Sequence, residues 1–339
     1  MRILQLNSAS TWGGGETHLA VLAAGLRARG HEVFLAGRGR GAFQGQTDLA
    51  LPFRNAFDLY SALRLRRWLG QHACDIVHAH VARDYAPACM AMAGNGRARL
   101  VCTRHLLYPL RPNPLYGRIA GWIAPTAGIA RTLEPLRPRV IRVIANGIDT
   151  AGYGFRPYRP QSPLRLGLLG QIAPHKGHED ALEALRHLGP GFGLRIAGAG
   201  EDAYLRQLRR RAEGLPVVWS GFTPAAAFLA GIDVLLAPSW EEPFGLVILE
   251  AMAAGVPVVA TDAGGPAGII TAGVTGYLVP PRQPSALAAA IEALAADPEG
   301  TAALALRARA LVEEHYDAGG MAERVEAFYR SVGAAAPGR

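Results

Sequence analysis

Short apolar runs rich in β-branched residues alternate with segments of helical period along the whole chain, and no other feature restricts the possible folds as much. The runs fall at residues 2–7, 32–36, 75–80 and 100–103, then at 164–169, 194–197, 217–220, 234–237 and 256–260. Strands separated by helices predict βαβ units, mainly parallel sheets and the α/β class. The rhythm breaks once, at residues 156–163, where three prolines in eight residues exclude a helix interior or a central strand. We read that stretch as a linker. It predicts an N-terminal domain over residues 1–157 and a C-terminal domain over 158–319, with a cleft between them. A last helical segment, 320–333, follows the Gly319-Gly320 pair, read as a hinge, and is expected to pack back on the first domain. A chain of 339 residues fits two such domains.

The first residues read as a buried strand without the apolar core of a secretory signal, and no apolar run reaches membrane-spanning length. The expected location is therefore cytoplasmic, with peripheral contact at the inner membrane face. Cys74, Cys89 and Cys102 are odd in number and unclustered, which argues against a disulfide framework or a cysteine metal site. The net charge of +8 is unevenly spread. Residues 1–150 carry 19 Arg and 8 acids, net +11, whereas residues 151–339 carry 16 Lys+Arg and 19 acids, net −3. Lys176 is the chain's single lysine.

Three motifs carry chemistry. After the first strand, Gly13-Gly14-Gly15-Glu16 opens a helix, so backbone amides and the helix dipole favour an anion there. The spacing is not G-x-G-x-x-G and no acid ends the second strand, which disfavours a dinucleotide dehydrogenase. In the second half Gly170-Gln171 leads through the same strand-loop-helix pattern to Lys176-Gly177, where a first βα turn holds a pyrophosphate. The longest motif runs from Pro238 to Val259. Its strand ends at Pro238, a loop delivers Glu242, and a helix from about Phe244 carries Glu250 before Gly255 stops it. Two carboxylates accept hydrogen bonds from vicinal hydroxyls, while the amides of Phe244, Gly245 and Leu246 suit an anion. Taken alone, Glu242 reads as an acid at a helix start and Glu250 as part of a solvated face.

Together these residues resemble the retaining glycosyltransferases of family 4, which have the GT-B fold of two Rossmann-like domains facing across a cleft. Glu242 and Glu250, followed by Ala-Met-Ala-Ala-Gly-Val-Pro and then Thr261-Asp262-Ala263-Gly264-Gly265, match the family's donor-site signature. Gly13-Gly14-Gly15-Glu16, Asn146-Gly147-Ile148-Asp149, Lys176-Gly177, Gly198-Ala199-Gly200 and Gly276-Tyr277-Leu278-Val279 match its other motifs in order. The resemblance implies a nucleotide-diphosphate sugar donor bound by the C-terminal domain. Glu250 would contact ribose, Glu242 the sugar, and Lys176 with the Gly14 and Gly15 amides the leaving diphosphate. It implies no cofactor and no metal, and the sequence has no Asp-x-Asp pair to hold a divalent cation. Two positions depart from the pattern: Gln171 stands where the family usually has Arg, and Gly268 where it usually has Glu.

His78 and His80 share a strand face, a spacing that mimics a metal pair but without a third ligand nearby in sequence. His105, in Thr103-Arg104-His105, resembles the family's active-site histidine and is the expected catalytic partner of Glu242 and Lys176. The arginine excess of the first half includes Arg64, Arg66 and Arg67, then Arg104, Arg111 and Arg118 among tyrosines. With His80 it marks the expected acceptor side, for an anionic glycan or glycolipid such as a lipopolysaccharide precursor at a membrane surface. Competing readings are a degenerate nucleotide-sugar-binding module, suggested by Gln171 and Gly268, and a nucleotide-sugar epimerase or hydrolase. A nucleic-acid partner is not expected, since no RNA- or DNA-binding module is present.

Overall fold

The structure, a computed structural model, describes residues 1–334. Its strands and helices alternate as β1 (Arg2–Asn7), α1 (Gly14–Ala28), β2 (Glu32–Gly37), β3 (Leu49–Ala50), α2 (Leu59–His72), β4 (Ile76–Ala79), α3 (Ala82–Ala91), β5 (Arg99–Thr103), β6 (Gly121–Ala124), α4 (Ala127–Leu133) and β7 (Ile141–Val143). The second half continues with β8 (Leu164–Leu169), α5 (His178–His187), β9 (Phe192–Ala197), α6 (Asp202–Arg211), β10 (Val217–Gly221), α7 (Ala225–Leu229), β11 (Val234–Ala237), α8 (Leu246–Ala254) and β12 (Val258–Thr261). Then come α9 (Pro266–Ile269), β13 (Tyr277–Val279), α10 (Pro284–Ala296), α11 (Pro298–His315) and α12 (Ala318–Ala334).

Every strand pairing is parallel. The first sheet has the order β3-β2-β1-β4-β5-β6-β7 and the second the order β10-β9-β8-β11-β12-β13. Both are doubly wound: the chain steps outward from the first strand of each sheet, then returns to its other side, so β1/β4 and β8/β11 are topological switch points. Strands buried on both faces need continuous apolar runs rather than alternation, which β6 and β11 supply outright and β4 and β12 supply but for His78 and Thr261.

Two compact units result, Met1–Gly147 together with the segment from Ala318, and Ile148–Asp317. The boundary lies at Gly147/Ile148, ahead of the proline-rich stretch read as the linker. The reason is local bonding: the Arg156 guanidinium donates to the carbonyls of Ala230 and Ile232, and Tyr158 is buried, so 148–163 adheres to the second unit. Gly319 and Gly320 lie within α12 rather than at a hinge before it. That helix presses Met321, Val325, Phe328, Tyr329 and Val332 against Ile3, Leu22, Leu26 and Val101 of the first unit. Its Glu326 carboxylate also meets Arg29 at 2.5 Å.

Cys74, Cys89 and Cys102 are free and buried. Among the described residues no helix is long and apolar enough to cross a membrane.

Candidate functional site

At the switch point of the second unit, the loops after β8 and β11 touch. Gly177 sits at φ +69° with its Cα so close to the end of β11 that a Cβ would lie within 1.9 Å of the Pro238 carbonyl oxygen, so only glycine fits. This approach sets the neighbouring Lys176 beside the loop that follows Pro238. The Lys176 Nζ donates to the Glu242 Oε2 at 2.6 Å, and the Ser239 hydroxyl donates to the same oxygen at 3.3 Å. The Glu242 backbone is clamped on both sides: its N–H donates to the Ala263 carbonyl and its carbonyl accepts from the Gly265 N–H. A second clamp holds the loop by the Trp240 indole, which donates to the Asp180 carboxylate at 2.6 Å and carries the Arg282 guanidinium over its ring at 4.2 Å. Both members of the ion pair keep part of their side chains in water, 25% for Lys176 and 14% for Glu242.

The helix after this loop begins at Leu246, two residues later than the sequence suggests, because Gly245 takes φ +103° as its N-cap. Of its first-turn amides, that of Ile248 donates back to the Gly245 carbonyl at 3.0 Å, while those of Leu246 and Val247 have no carbonyl a turn earlier in the helix to bond to. Phe244 is buried and Gln171 exposed. Glu250 is not on a solvated face. Seven of the nine residues of α8 are buried, Glu250 among them, and a helix that is apolar all round must lie in a core. Burial raises the Glu250 pKa above the ordinary carboxylate value, and a hydrogen bond from the Tyr153 hydroxyl partly offsets this. Sequence reasoning missed Tyr153, which carries no motif of its own.

At the corresponding switch point of the first unit, the glycine loop caps α1 with Gly13; Gly14 is exposed and Gly15 has open space where a Cβ would stand. Glu16 turns inward and accepts from Asn7 Nδ2 at 3.0 Å. Behind the loop lies a group of histidines. His78 is fully buried, with Nδ1 2.6 Å from the Tyr329 hydroxyl and Nε2 2.7 Å from the Thr103 hydroxyl. His80 Nε2 lies 2.7 Å from Gln5 Oε1, and His105 follows β5, half-buried. A further histidine that the sequence reading did not single out, His18, lies on the inward face of α1. Its ring centroid stands 5.8 Å from that of His80 and 5.0 Å from that of His105. Burial lowers the pKa of all four, to about 3 for His78 and about 4 for His105, so the imidazoles are neutral at pH 7.

Of the residues read as the acceptor side, Arg104 is buried with its guanidinium donating to the Tyr108 carbonyl at 2.5 Å, whereas Arg111 is exposed.

A family profile described as "Glycosyl transferases group 1" matches residues 157–311, and one described as "Glycosyltransferase Family 4" matches residues 12–151. The glycogen synthase of Mycobacterium tuberculosis is 37% identical over 186 residues, an alignment that spans 52% of this chain and 45% of that protein. The phosphatidyl-myo-inositol mannosyltransferase of Mycobacterium leprae is 30% identical over 326 residues, covering 83% of each chain. Among solved structures, Anabaena HepE in complex with UDP and glucose superposes with a TM-score of 0.85 at 23% identity, over 98% of this chain and all of that one. With two doubly wound parallel units and matches along nearly its full length, the chain belongs to glycosyltransferase family 4 and has the GT-B fold.

Proposed function

We propose that this protein transfers a sugar from a nucleotide-diphosphate donor to an anionic glycan or glycolipid. The observation that carries this reading is the Lys176–Glu242 pair at the second switch point, beside the Leu246 and Val247 amides that open α8. Without a ligand the two charges satisfy one another. A diphosphate arriving at the switch point offers Lys176 a doubly charged partner, and the freed Glu242 carboxylate then accepts from sugar hydroxyls. Donor binding thus exchanges one ion pair for two ligand contacts. As the glycosidic bond to the diphosphate breaks, charge develops on the leaving oxygen, and the fixed ammonium and amide dipoles lower that barrier without a metal in the step. The Gly14 and Gly15 amides and His105 are assigned to the diphosphate and the donor sugar. Glu250, tied to Tyr153, is assigned to the ribose. Gln171 leaves Lys176 as the side-chain cation of this loop. HepE, crystallised with UDP and glucose, supports a UDP-type donor.

The thermal stability of the chain with UDP, GDP, ADP and their sugars tests this reading, because a ligand of the native state raises stability by mass action. One nucleotide series should raise the melting temperature, and Glu242→Ala should leave the fold intact while abolishing transfer. A flat response to every nucleotide would overturn the proposal.

For the acceptor we propose an anionic lipid surface. Helix α2 buries Ala62, Leu65, Trp68 and Leu69, yet its outer face, with the turn before it, exposes Phe57 (65%), Leu59 (60%), Tyr60 (52%) and Leu63 (58%). Arg54 and Arg64 stand 5.8 and 5.9 Å from the Tyr60 ring, and Arg66 and Arg67 extend the face. The only acid in residues 51–74, Asp58, is buried as the helix cap. Exposed apolar groups ringed by arginines suit an interface of acyl chains and anionic headgroups. The lipid named in the M. leprae relative agrees with this. Sedimentation with phosphatidylglycerol vesicles should far exceed that with phosphatidylcholine, and equal partition between the two would overturn the reading.

A further inference from the structure

We propose that His18, His80 and His105 form a binding site for a late first-row divalent ion, of which Zn²⁺ is the representative. Each offers one ring nitrogen, and the three atoms all lie within 4.8 Å of one another. A tetrahedral zinc with Zn–N bonds of about 2.0–2.1 Å needs ligand atoms about 3.3 Å apart, so side-chain rotations of about 1 Å close the site. His105, half-buried just after β5, is the least enclosed of the three.

The strongest observation is what these nitrogens lack. Both ring nitrogens of His18, Nδ1 of His80 and Nε2 of His105 are buried without a hydrogen-bond partner, and His18 and His80 are each only 3% exposed. A buried imidazole nitrogen left unpaired costs free energy, and here several of them converge. A cation of borderline softness is the partner such a set selects. Water would satisfy one or two of these atoms, whereas one ion satisfies three at once.

The surroundings also fit. His80 Nε2 sits 2.7 Å from Gln5 Oε1, which accepts only, so the proton resides on Nε2 and the Nδ1 lone pair is free. Gln5 is itself held, its amide donating to the Tyr329 hydroxyl at 3.4 Å, and that hydroxyl lies 2.6 Å from His78 Nδ1. This is the outer arrangement that orients metal-bound histidines. His78, two residues before His80, is spent on Tyr329 and Thr103 and takes no part. Arg104, next to His105, donates to the Tyr108 carbonyl and keeps its positive charge, which opposes a cation at the site.

Three histidines leave one coordination position open. Since His105 is also the residue assigned above to the donor sugar, an ion held there and a free His105 are alternatives. The site therefore acts as a brake on transfer and contributes nothing to the chemistry of the step.

The test is direct binding, with no readout of activity. The full chain is stripped with a chelator, dialysed, and loaded with Zn²⁺ or Co²⁺; bound metal is counted after gel filtration and the Co²⁺ form is read by its visible d–d absorption. One equivalent per chain with a tetrahedral spectrum is expected. His18→Ala and His105→Gln should each abolish it, with circular dichroism to verify that both remain folded. His105→Gln lies at the half-exposed edge and serves should His18→Ala fail to fold. Gln5→Leu should weaken binding by about 10–100-fold. Less than about a tenth of an equivalent in the wild-type chain, or stoichiometric binding retained in both histidine variants, would overturn the proposal.

Discussion

The two units wind their strands in the same order, yet they furnish the same topological position in opposite ways. At β8/β11 the loops bring together a full ammonium and a full carboxylate, partly in water. At β1/β4 they surround neutral imidazoles kept out of water. The difference teaches that this winding fixes where a ligand meets the sheet, while a few loop side chains fix what kind of ligand it is. On the readings proposed above, the charged pair takes a charged, exchangeable group and the neutral buried cluster takes an ion that brings its own charge.

Four outcomes break or sharpen this contrast. The largest effect is expected at Gly177, where both the positive φ and the carbonyl 1.9 Å from a Cβ forbid a side chain. Gly177→Val should cost more than about 4 kcal/mol, or prevent folding, in denaturant titrations; a loss below about 1 kcal/mol would mean that the loops are not locked together. Next, Lys176→Ala should lower turnover by about 10²–10³-fold with the melting temperature nearly unchanged. An unchanged rate constant would remove Lys176 from the leaving-group site.

The third concerns acid. His78 titrates near 3 in the native chain because burial disfavours its cation, against an ordinary value near 6.5. A depressed native pKa means the folded state binds fewer protons, so its stability is intact above pH 6.5 and drains as the pH falls from there toward 3. For His78 this should amount to about 2 kcal/mol between pH 6.5 and 5, and the other buried imidazoles act in the same direction. The first unit has four of them, His18, His78, His80 and His105, and the second has chiefly His178, near 4. Calorimetry of the full chain should therefore show a melting temperature that falls on acidification, with the fall reduced in His78→Gln; parallel curves would show that burial at this position does not set the slope. The smallest effect is expected at Gly15, where a Cβ meets nothing within 4 Å. Gly15→Ala should alter stability by less than about 1 kcal/mol while raising the donor KM, and an unaltered KM would detach the glycine loop from the diphosphate.

Sequence periodicity was enough for the long elements, since buried parallel strands write themselves as apolar runs. It was not enough for β6 and β7. Gly121–Ala124 is four residues long behind a proline-broken loop, and the three residues of Ile141–Val143 are half-exposed at a sheet edge. The boundary was misplaced because prolines report local stiffness and not which unit a segment adheres to; the bonds of Arg156 decide that. Glu250 carried its own signal, a carboxylate inside Leu-Val-Ile-Leu-Glu-Ala-Met-Ala-Ala, where no polar face exists to place it on. His18 had almost none. It follows a glycine loop and precedes Leu19 on the buried stripe of α1, and its partners lie 62 and 87 residues away in sequence, so only the winding of the sheet brings them together.

The docking of α12 against the first sheet has a consequence for synthesis. Gly25 and Gly121 lack the methyl groups that would collide with Ala322 and Phe328, so the first unit is built to receive a helix translated after the whole of the second. On the ribosome, the portion that emerges first is the last to be completed. Until residue 332 has left the exit tunnel, Ile3, Leu22, Leu26 and Val101 lack the lid that dries them. The second unit, continuous from Ile148 to Asp317, is free to fold while that apolar face is still open, and over that interval the nascent chain carries exposed hydrophobic surface.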